Sequence, residues 1–155
     1  MEAQHYIKSL ELLPHPEGGY YKETYRSEMQ VDTKNGKRNA STAIYFLLEE
    51  GNFSAFHRIE SNELWHFYQG DVLEVIEINK DGKLMITELS ETNFQYCVAA
   101  GNWFGSRVKK GGKFALVGCT VSPGFDFADF EMAERNNLIG SYPQYKEIIM
   151  EMTRS

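Results

Sequence analysis

The residues between 42 and 121 form a succession of short runs that favour β-strands, and no other feature of the sequence constrains the fold as strongly. Eight runs are rich in β-branched and aromatic residues, and they cover 42–48, 53–57, 64–68, 72–78, 84–89, 94–98, 103–108 and 114–121. Turn-forming pairs such as Gly70-Asp71 and Asp81-Gly82 separate them. Strands of this length and spacing predict an antiparallel sandwich or barrel rather than βαβ units. The aromatic content of 14% is typical of a β-rich core.

Short helices are predicted at both ends of the chain. Apolar residues at positions 3, 6, 7 and 10 have helical spacing, so a helix is expected over about 3–12. A helical segment over about 127–153 follows the last strand, with its final helix opening at Ser141 and carrying Pro143 in its first turn. With a barrel over about 20–121, the 155 residues are expected to form a single domain.

Two glycine-containing segments predict sharp turns. Asn35-Gly36 marks the tip of a hairpin within 32–38. Gly18 and Gly19 follow Pro16-Glu17 and predict an abrupt change of direction. The two glycines either let the chain pass close to a neighbouring strand or adopt a positive φ. The sequence leaves these two explanations open.

Charge and cysteine content exclude several classes of protein. The chain has 16 Lys+Arg against 22 Asp+Glu, and a net charge of −6 disfavours non-specific nucleic-acid binding. No stretch approaches the roughly 20 apolar residues of a membrane span, and the N-terminus lacks the apolar region of a secretory signal. Cys97 and Cys119 have no CxxC spacing and are expected to be free thiols in a reducing compartment. We therefore expect a cytoplasmic protein with no nucleic-acid and no membrane partner.

The segment 51–70 resembles the first motif of the cupin superfamily, G-x5-H-x-H-x(3,4)-E-x6-G. Gly51, His57, Glu63 and Gly70 match its spacing, and Ile59 stands where the motif has its second histidine. In the second cupin motif, G-x5-P-x-G-x2-H-x3-N, Gly101 fits the second glycine and Phe104 stands at the histidine. The segments 13–27 and 118–127 are similar to the flanks of one subfamily, the fifth catalogued and long filed as a domain of unknown function.

This resemblance implies a fold and an assembly. The expected fold is mainly β, a jelly-roll barrel of the double-stranded β-helix type with short helices at the N- and C-termini. The family is expected to form homodimers and to carry a pocket in the barrel mouth. Its biochemical activity is poorly defined, so the resemblance determines the fold better than the function.

The two departures from the motifs bear on metal binding. A cupin metal site uses three histidines and a carboxylate, and only His57 and Glu63 remain of these four. Ile59 and Phe104 place apolar side chains in the other two positions. We therefore expect no metal cofactor, although His57 and Glu63 would be ligands of a divalent metal if one binds. His15 or His66 could complete a ligand set by another route, but strand alternation places His66 on the face opposite Glu63.

Without a metal, His57 and Glu63 are the candidate catalytic residues. A histidine near a carboxylate can be held in one tautomer and act as a general base near neutral pH. Metal-free cupins of similar outline include dTDP-sugar 3,5-epimerases, which use a histidine base oriented by an acid, with a tyrosine as the acid. This resemblance implies metal-independent isomerase or epimerase chemistry on a small polar or anionic metabolite such as a sugar nucleotide. Spacing does not single out a tyrosine of this chain for that role.

Four further residues are candidate ligand contacts. Arg26 could grip a phosphate or carboxylate, and Tyr25, Trp65 and Phe104 could stack on a ligand in the barrel mouth. Glu17 and Glu23 either line the pocket or cap local backbone. A binding module without catalysis is the main alternative to an enzyme, and a metal-dependent cupin enzyme is a further one. A small-molecule ligand and a second copy of the chain are the expected partners.

Overall fold

Two antiparallel sheets make up most of the chain, as described by a computed structural model that covers residues 2–155. The strands are β1 (Leu13–Pro14), β2 (Tyr20–Arg26), β3 (Gln30–Thr33), β4 (Gly36–Asn39), β5 (Thr42–Glu49), β6 (Phe53–Arg58), β7 (Asn62–Gly70), β8 (Leu73–Ile78), β9 (Leu84–Leu89), β10 (Gln95–Val98), β11 (Trp103–Val108), β12 (Phe114–Ser122) and β13 (Glu131–Met132). The helices are α1 (Ala3–Ser9), α2 (Arg135–Ser141) and α3 (Lys146–Glu151), with 3-10 turns at Phe127–Asp129 and Pro143–Tyr145.

The strand order is that of a jelly roll. One sheet has the order β1-β2-β5-β12-β7-β10, and the other has the order β13-β6-β11-β8-β9. Most neighbours within a sheet are not consecutive in sequence, so the chain crosses repeatedly between the two sheets. Strands β3 and β4 form a separate hairpin, as the Asn35-Gly36 pair predicts. The prediction of a mainly β jelly-roll fold is confirmed.

The principal core lies between the two sheets. Phe46 on β5 and Trp65 on β7 pack with Val75 on β8 and Phe104 on β11 in one buried cluster. On β7 the side chains alternate, so that Trp65 and Phe67 are buried while Tyr68 is exposed. This alternation sets which side chains of β7 reach the space between the sheets.

Both sheets are also covered on their outer faces. Helix α1 packs on β5 and β12, where Leu47 and Leu116 are buried. The C-terminal helices cover the second sheet, and Ile149 and Met152 pack there against Phe56. Strands covered on both sides can be apolar at successive positions, which explains the continuous apolar runs in the sequence. Of the helices between residues 2 and 155, none has the length and apolar character needed to cross a membrane.

The ends of the chain differ in detail from the sequence expectations. Helix α1 is shorter than 3–12, and residues 131–132, expected to be helical, pair with β6 as a strand. Ser141 ends α2 instead of opening the final helix, and Glu134 caps α2 by accepting a hydrogen bond from the Asn137 N–H. Pro143 explains the break, because the residue before a proline disfavours the helical conformation and Tyr142 has φ −134°.

The Gly18-Gly19 pair satisfies both explanations that the sequence left open. Gly18 has a φ of +114°, and a Cβ on it would lie 2.0 Å from the backbone oxygen of Phe53. Gly19 has a φ of +80° and would meet the backbone oxygen of Leu47 at 2.7 Å. The turn therefore presses the backbone of residues 17–19 against β6 and β5, and the Ala55 N–H donates to the Glu17 carbonyl at 3.0 Å.

Replacing Gly18 with alanine tests this close approach. Gly18→Ala is expected to lower the free energy of unfolding by roughly 2–3 kcal/mol, because the positive φ and the contact with Phe53 both oppose a side chain. Gly51→Ala is the matched control, since Gly51 has a φ of +84° but nothing within 4 Å of the added Cβ. Urea unfolding should therefore show a clearly larger loss for Gly18→Ala. Equal losses in the two variants would show that the contact with β6 contributes nothing.

Candidate functional site

A cavity of about 200 Å³ opens between the two sheets at one end of the barrel. The turn before β2 contributes His15 and Glu17, strand β6 contributes His57, and strand β7 contributes Glu63 and Trp65. Its walls are largely apolar and aromatic, and the wall residues are Tyr21, Ile44, Phe46, Ile59, Val121, Phe125, Phe127 and Phe130. A few polar groups in an apolar concavity are the usual form of a small-molecule site.

The mouth of the cavity is built by the segment that follows β12. Phe125, Phe127 and Phe130 pack edge to face with ring centroids 4.9–6.2 Å apart. Arg38, on the β3–β4 hairpin, binds both carboxylate oxygens of Asp129 at 2.8 and 2.9 Å. This ion pair ties the hairpin to the aromatic segment at the mouth.

His57 is held in one orientation and one tautomer. Its ring lies 4.1 Å from the Phe104 ring and stacks on Phe130 at 5.3 Å, measured between centroids. Its Nδ1 lies 2.7 Å from the carbonyl oxygen of Ala55. A carbonyl oxygen only accepts, so Nδ1 carries the proton and Nε2 of the neutral ring holds the lone pair. Burial lowers the pKa of His57 to about 4, although the hydrogen bond to Ala55 opposes this shift.

Glu17 is the carboxyl group beside His57. Its Oε2 lies 3.3 Å from His57 Nδ1, and the same oxygen makes no hydrogen bond to any part of residues 2–155. Burial raises the pKa of Glu17 to about 8, while the Ser54 side chain and the charge of Arg154 oppose the rise. The pKa shifts of Glu17 and His57 therefore agree, because burial favours the uncharged form of each group.

His15 adds a second imidazole to this group. Its Nδ1 accepts a hydrogen bond from the Glu17 N–H at 3.1 Å, so the proton of the neutral ring is on Nε2. Burial and, to a smaller extent, the nearby His57 lower the pKa of His15 to about 4. The sequence left Glu17 open as a pocket-lining residue and His15 as an alternative metal ligand, and it did not predict their contacts with each other and with His57. Their signal was the Gly18-Gly19 turn, which presses the preceding residues against β6.

Glu63 and Trp65 reach the cavity from alternate positions on β7. Burial and, to a smaller extent, the nearby Glu17 carboxyl raise the pKa of Glu63 to about 8, while the Trp65 side chain opposes the rise. The Trp65 indole nitrogen is buried and has no hydrogen-bond partner within residues 2–155. Glu63 was expected to orient His57, but among the described residues the carboxyl within 4.0 Å of a His57 nitrogen is that of Glu17. His66 points to the other face of β7, where it bonds Thr120 at 3.1 Å.

A bulge in β2 decides which of its side chains enter the cavity. Tyr21 and Glu23 line it, but the register shifts between Glu23 and Tyr25. Arg26 therefore lines the cavity in place of Tyr25, which is 54% exposed on the outside. Phe104 is fully buried behind His57, where it supports the imidazole and is not part of the cavity wall.

Arg26 is already engaged by neighbouring groups. It binds both oxygens of Glu23 at 2.6 and 3.2 Å, and it donates to Asn39 and to the Phe125 carbonyl at 2.9 and 3.1 Å. A guanidinium has five N–H donors, so these four hydrogen bonds leave one free. Arg26 therefore stands at the cavity with its charge paired.

The residues at the cupin ligand positions do not fit a metal ion. Ile59 and Phe104 occupy two of the four positions and are buried, with 5% and 1% of their surface exposed. Within residues 2–155, no three His, Cys, Asp or Glu side chains lie together in a way that could hold a metal. The chemistry available to these residues is therefore acid–base chemistry without a metal. The expectation of a metal-free protein stays a prediction.

The raised pKa of Glu63 predicts how stability depends on pH. A carboxyl whose pKa is raised from 4.5 to about 8 on folding destabilises the protein progressively as pH increases between these values. Glu63→Gln is therefore expected to resemble the parent protein near pH 4.5 and to exceed its unfolding free energy by roughly 5 kcal/mol at pH 9. Urea unfolding across this range measures the difference. The control is Glu91→Gln at an exposed position, and a pH-independent difference for Glu63→Gln would contradict the assignment.

Comparison with known proteins is consistent with this architecture. An uncharacterized protein of Saccharomyces cerevisiae is 30% identical over 147 residues, covering 81% of this chain and 72% of the yeast protein. The structure of a hypothetical protein from Leishmania major has a TM-score of 0.95 at 37% identity and covers 100% of both chains. A Shewanella oneidensis protein has a TM-score of 0.92 at 39% identity and covers 99% of this chain and 98% of its own.

A more distant structure shares the fold of this chain, and a family match identifies its family. Oxalate decarboxylase from Bacillus subtilis has a TM-score of 0.59 at 14% identity, with 90% of this chain matching 36% of that one. At this identity the likeness concerns the fold alone. The family described as "Cupin superfamily (DUF985)" matches residues 4–133. The chain therefore belongs to the cupin superfamily, in the family DUF985.

Proposed function

We propose that the cavity binds a small polar metabolite and that His57 and Glu63 exchange protons with it, in isomerase or epimerase chemistry that needs no metal. One observation carries this proposal: an imidazole with a free Nε2 and a carboxyl that keeps its proton at neutral pH line the same cavity. Pairs of titratable groups whose environments push their pKa values in opposite directions are typical of acid–base sites.

His57 is the proposed base because its Nε2 is free and its ring cannot turn. The Ala55 carbonyl holds Nδ1, and Phe104 and Phe130 hold the ring. Glu17 is a positioning residue, since it touches Nδ1 of His57 at 3.3 Å. An imidazole with a pKa of about 4 is a weak base, so it requires a carbon acid activated by an adjacent carbonyl group.

Glu63 is the proposed acid. As Nε2 of His57 takes the proton from the carbon, the C–H electron pair forms a carbon–carbon double bond and the carbonyl oxygen takes the proton of Glu63. The enol that results is uncharged. In an α-hydroxy carbonyl compound, His57 then delivers its proton to the former carbonyl carbon while the hydroxyl on the neighbouring carbon gives its proton to Glu63, which yields the carbonyl isomer and restores both groups. Delivery of the proton to the opposite face of the original carbon, after the enol has turned in the cavity, yields the epimer.

The size of the cavity limits the substrate. At about 200 Å³ it is smaller than the 300–1,000 Å³ of sites for drug-sized ligands. A molecule with one ring fits this volume. If the metabolite is a sugar nucleotide, only its sugar enters and the nucleotide lies outside the mouth.

A binding module without catalysis is the second candidate function. The observation that favours it is the low basicity of His57, since a pKa of about 4 lies well below the value near 7 that suits a general base at neutral pH. Apolar and aromatic walls around a few polar groups serve binding equally well. Proton exchange with the bound molecule separates the two functions.

Deuterium uptake from D2O measures proton abstraction directly, even where the substrate and the product are the same compound. The protein should catalyse uptake at the carbon beside the carbonyl of small keto and aldo sugars, monitored by NMR. His57→Asn should slow it by about 10²–10⁴-fold, because the base is lost. His66→Asn is the matched control on the opposite face of β7 and should exchange at the parent rate. Binding without uptake in the parent protein would establish the binding module instead.

The pH dependence of deuterium uptake gives a second test. The rate is expected to rise through about pH 4, as His57 loses its proton, and to fall through about pH 8, as Glu63 loses its own. In Glu63→Gln the alkaline limb should disappear. Uptake should also survive dialysis against a chelator, and its abolition there, with recovery on adding a divalent metal, would favour the metal-dependent alternative.

The assembly and the cellular setting are further proposals. A homodimer is supported by open edges on β1, β9, β10 and β13, since exposed edge strands are commonly covered by pairing. A reducing, cytoplasmic setting is supported by Cys97 and Cys119, which are free thiols. Sedimentation equilibrium at micromolar concentration should give twice the chain mass of 17.8 kDa, and a monomer would contradict the dimer.

A further inference from the structure

The cavity contains one pair of permanent charges, and these two charges face each other. Arg26 and Glu23 line the cavity and are joined by two hydrogen bonds of 2.6 and 3.2 Å. Two further hydrogen bonds, to Asn39 and to the Phe125 carbonyl, hold the guanidinium in this position. One N–H of Arg26 stays free for a hydrogen bond, but the charge of Arg26 is already paired with Glu23, so an incoming anion would have to displace Glu23 to gain a counter-ion.

The inner groups of the cavity offer no charge either. Nδ1 of His15 accepts from a backbone N–H, which requires a neutral ring, and the burial of His57 favours the neutral form of its ring. Oε2 of Glu17 is buried and makes no hydrogen bond among residues 2–155, since the nearby Nδ1 of His57 directs its proton to Ala55, and such burial disfavours a carboxylate. Burial also raises the pKa of Glu17 and of Glu63 to about 8.

We infer that the ligand of this cavity is uncharged, a single-ring compound that carries hydroxyl groups and a carbonyl group, either free or held as the hemiacetal of a sugar ring. The inference deepens the proposed function, because the carbonyl group of the ligand is inferred from the proposed acid–base chemistry. An ion would leave water without finding an opposite charge in the cavity, which opposes its binding. Hydroxyl and carbonyl groups match the available partners, namely the Nε2 lone pair of His57, the Nε2 proton of His15 and the Glu63 proton. Tyr21, Phe46 and Phe130 supply aromatic surface for the apolar face of a ring.

Sugars that share one ring and differ in charge test this inference. D-glucose, D-glucuronate and D-glucosamine form one series, and the galacto and xylo compounds extend it. Titration calorimetry at pH 6.5 should show that a neutral sugar of at least one series binds ten or more times tighter than its charged counterparts. Equal or tighter binding of the uronates or the amino sugars would overturn the inference, and so would the failure of every neutral sugar to bind.

A single substitution changes the charge of the cavity without removing any of the proposed proton-transfer groups. Glu23→Gln frees Arg26 from its partner, so it should tighten uronate binding relative to the neutral sugar by about tenfold. The matched control is Glu28→Gln, in the link between β2 and β3, which should leave the ratio unchanged. An unchanged ratio in Glu23→Gln would show that the Arg26–Glu23 pair does not set the preference.

The outcomes separate this inference from the proposed function. Discrimination against charged sugars without deuterium uptake would support the uncharged ligand and reject the acid–base chemistry. Deuterium uptake from charged and neutral sugars alike would support the chemistry and reject the uncharged ligand. The two readouts use the same protein and the same compounds.

Discussion

The backbone of Glu17 docks on the edge of β6, and the geometry of the cavity depends on this contact. The Glu17 carbonyl accepts hydrogen bonds from the Ala55 N–H at 3.0 Å and from Arg154 at 2.8 Å. Arg154 also binds the Phe53 carbonyl and stacks on the Phe53 ring at 4.0 Å. The C-terminal end of the chain thereby clamps the turn that carries His15 and Glu17, and Gly18 permits the approach because it has no side chain.

Docking of this turn buries two carboxyl groups and two imidazoles together, and none of their side chains forms a hydrogen bond to a lysine or arginine among residues 2–155. Each group then keeps its neutral form, since a charge in a medium of low dielectric is costly unless it is paired. Neutral imidazoles and protonated carboxyls are reactive toward uncharged carbon acids and unattractive to ions. The electrostatic character of the cavity and its proposed chemistry thus share one physical cause, the burial imposed by the docked turn.

The fold and the position of the site follow from local features of the sequence, whereas the partners within the site do not. Alternation along β7 correctly places Glu63, Trp65 and Phe67 on one face and His66 on the other, because the period of a strand is two. The secondary structure of the C-terminal segment could not be predicted from local patterns, because the pairing of residues 131–132 with β6 is non-local.

Two features of the site lie outside any local pattern. The bulge in β2 exchanges Tyr25 for Arg26 at the cavity, and a bulge has no reliable signature in a single sequence. Glu17 meets His57 only because a turn forty residues earlier docks on β6, a contact that depends on tertiary packing. The sequence could indicate that the Gly18-Gly19 turn approaches a strand, but not which strand.

The two departures from the cupin metal motif have the same structural consequence, which is the burial of His57. Phe104 stands where a ligand histidine would be, and its ring packs on His57 at 4.1 Å. Ile59 stands at the second position and joins the same buried core. Apolar side chains at both positions remove two metal ligands and also exclude water from the surroundings of His57. This burial is the main cause of the lowered pKa of His57. The substitutions that disfavour a metal ion therefore also create the neutral imidazole on which metal-free chemistry depends.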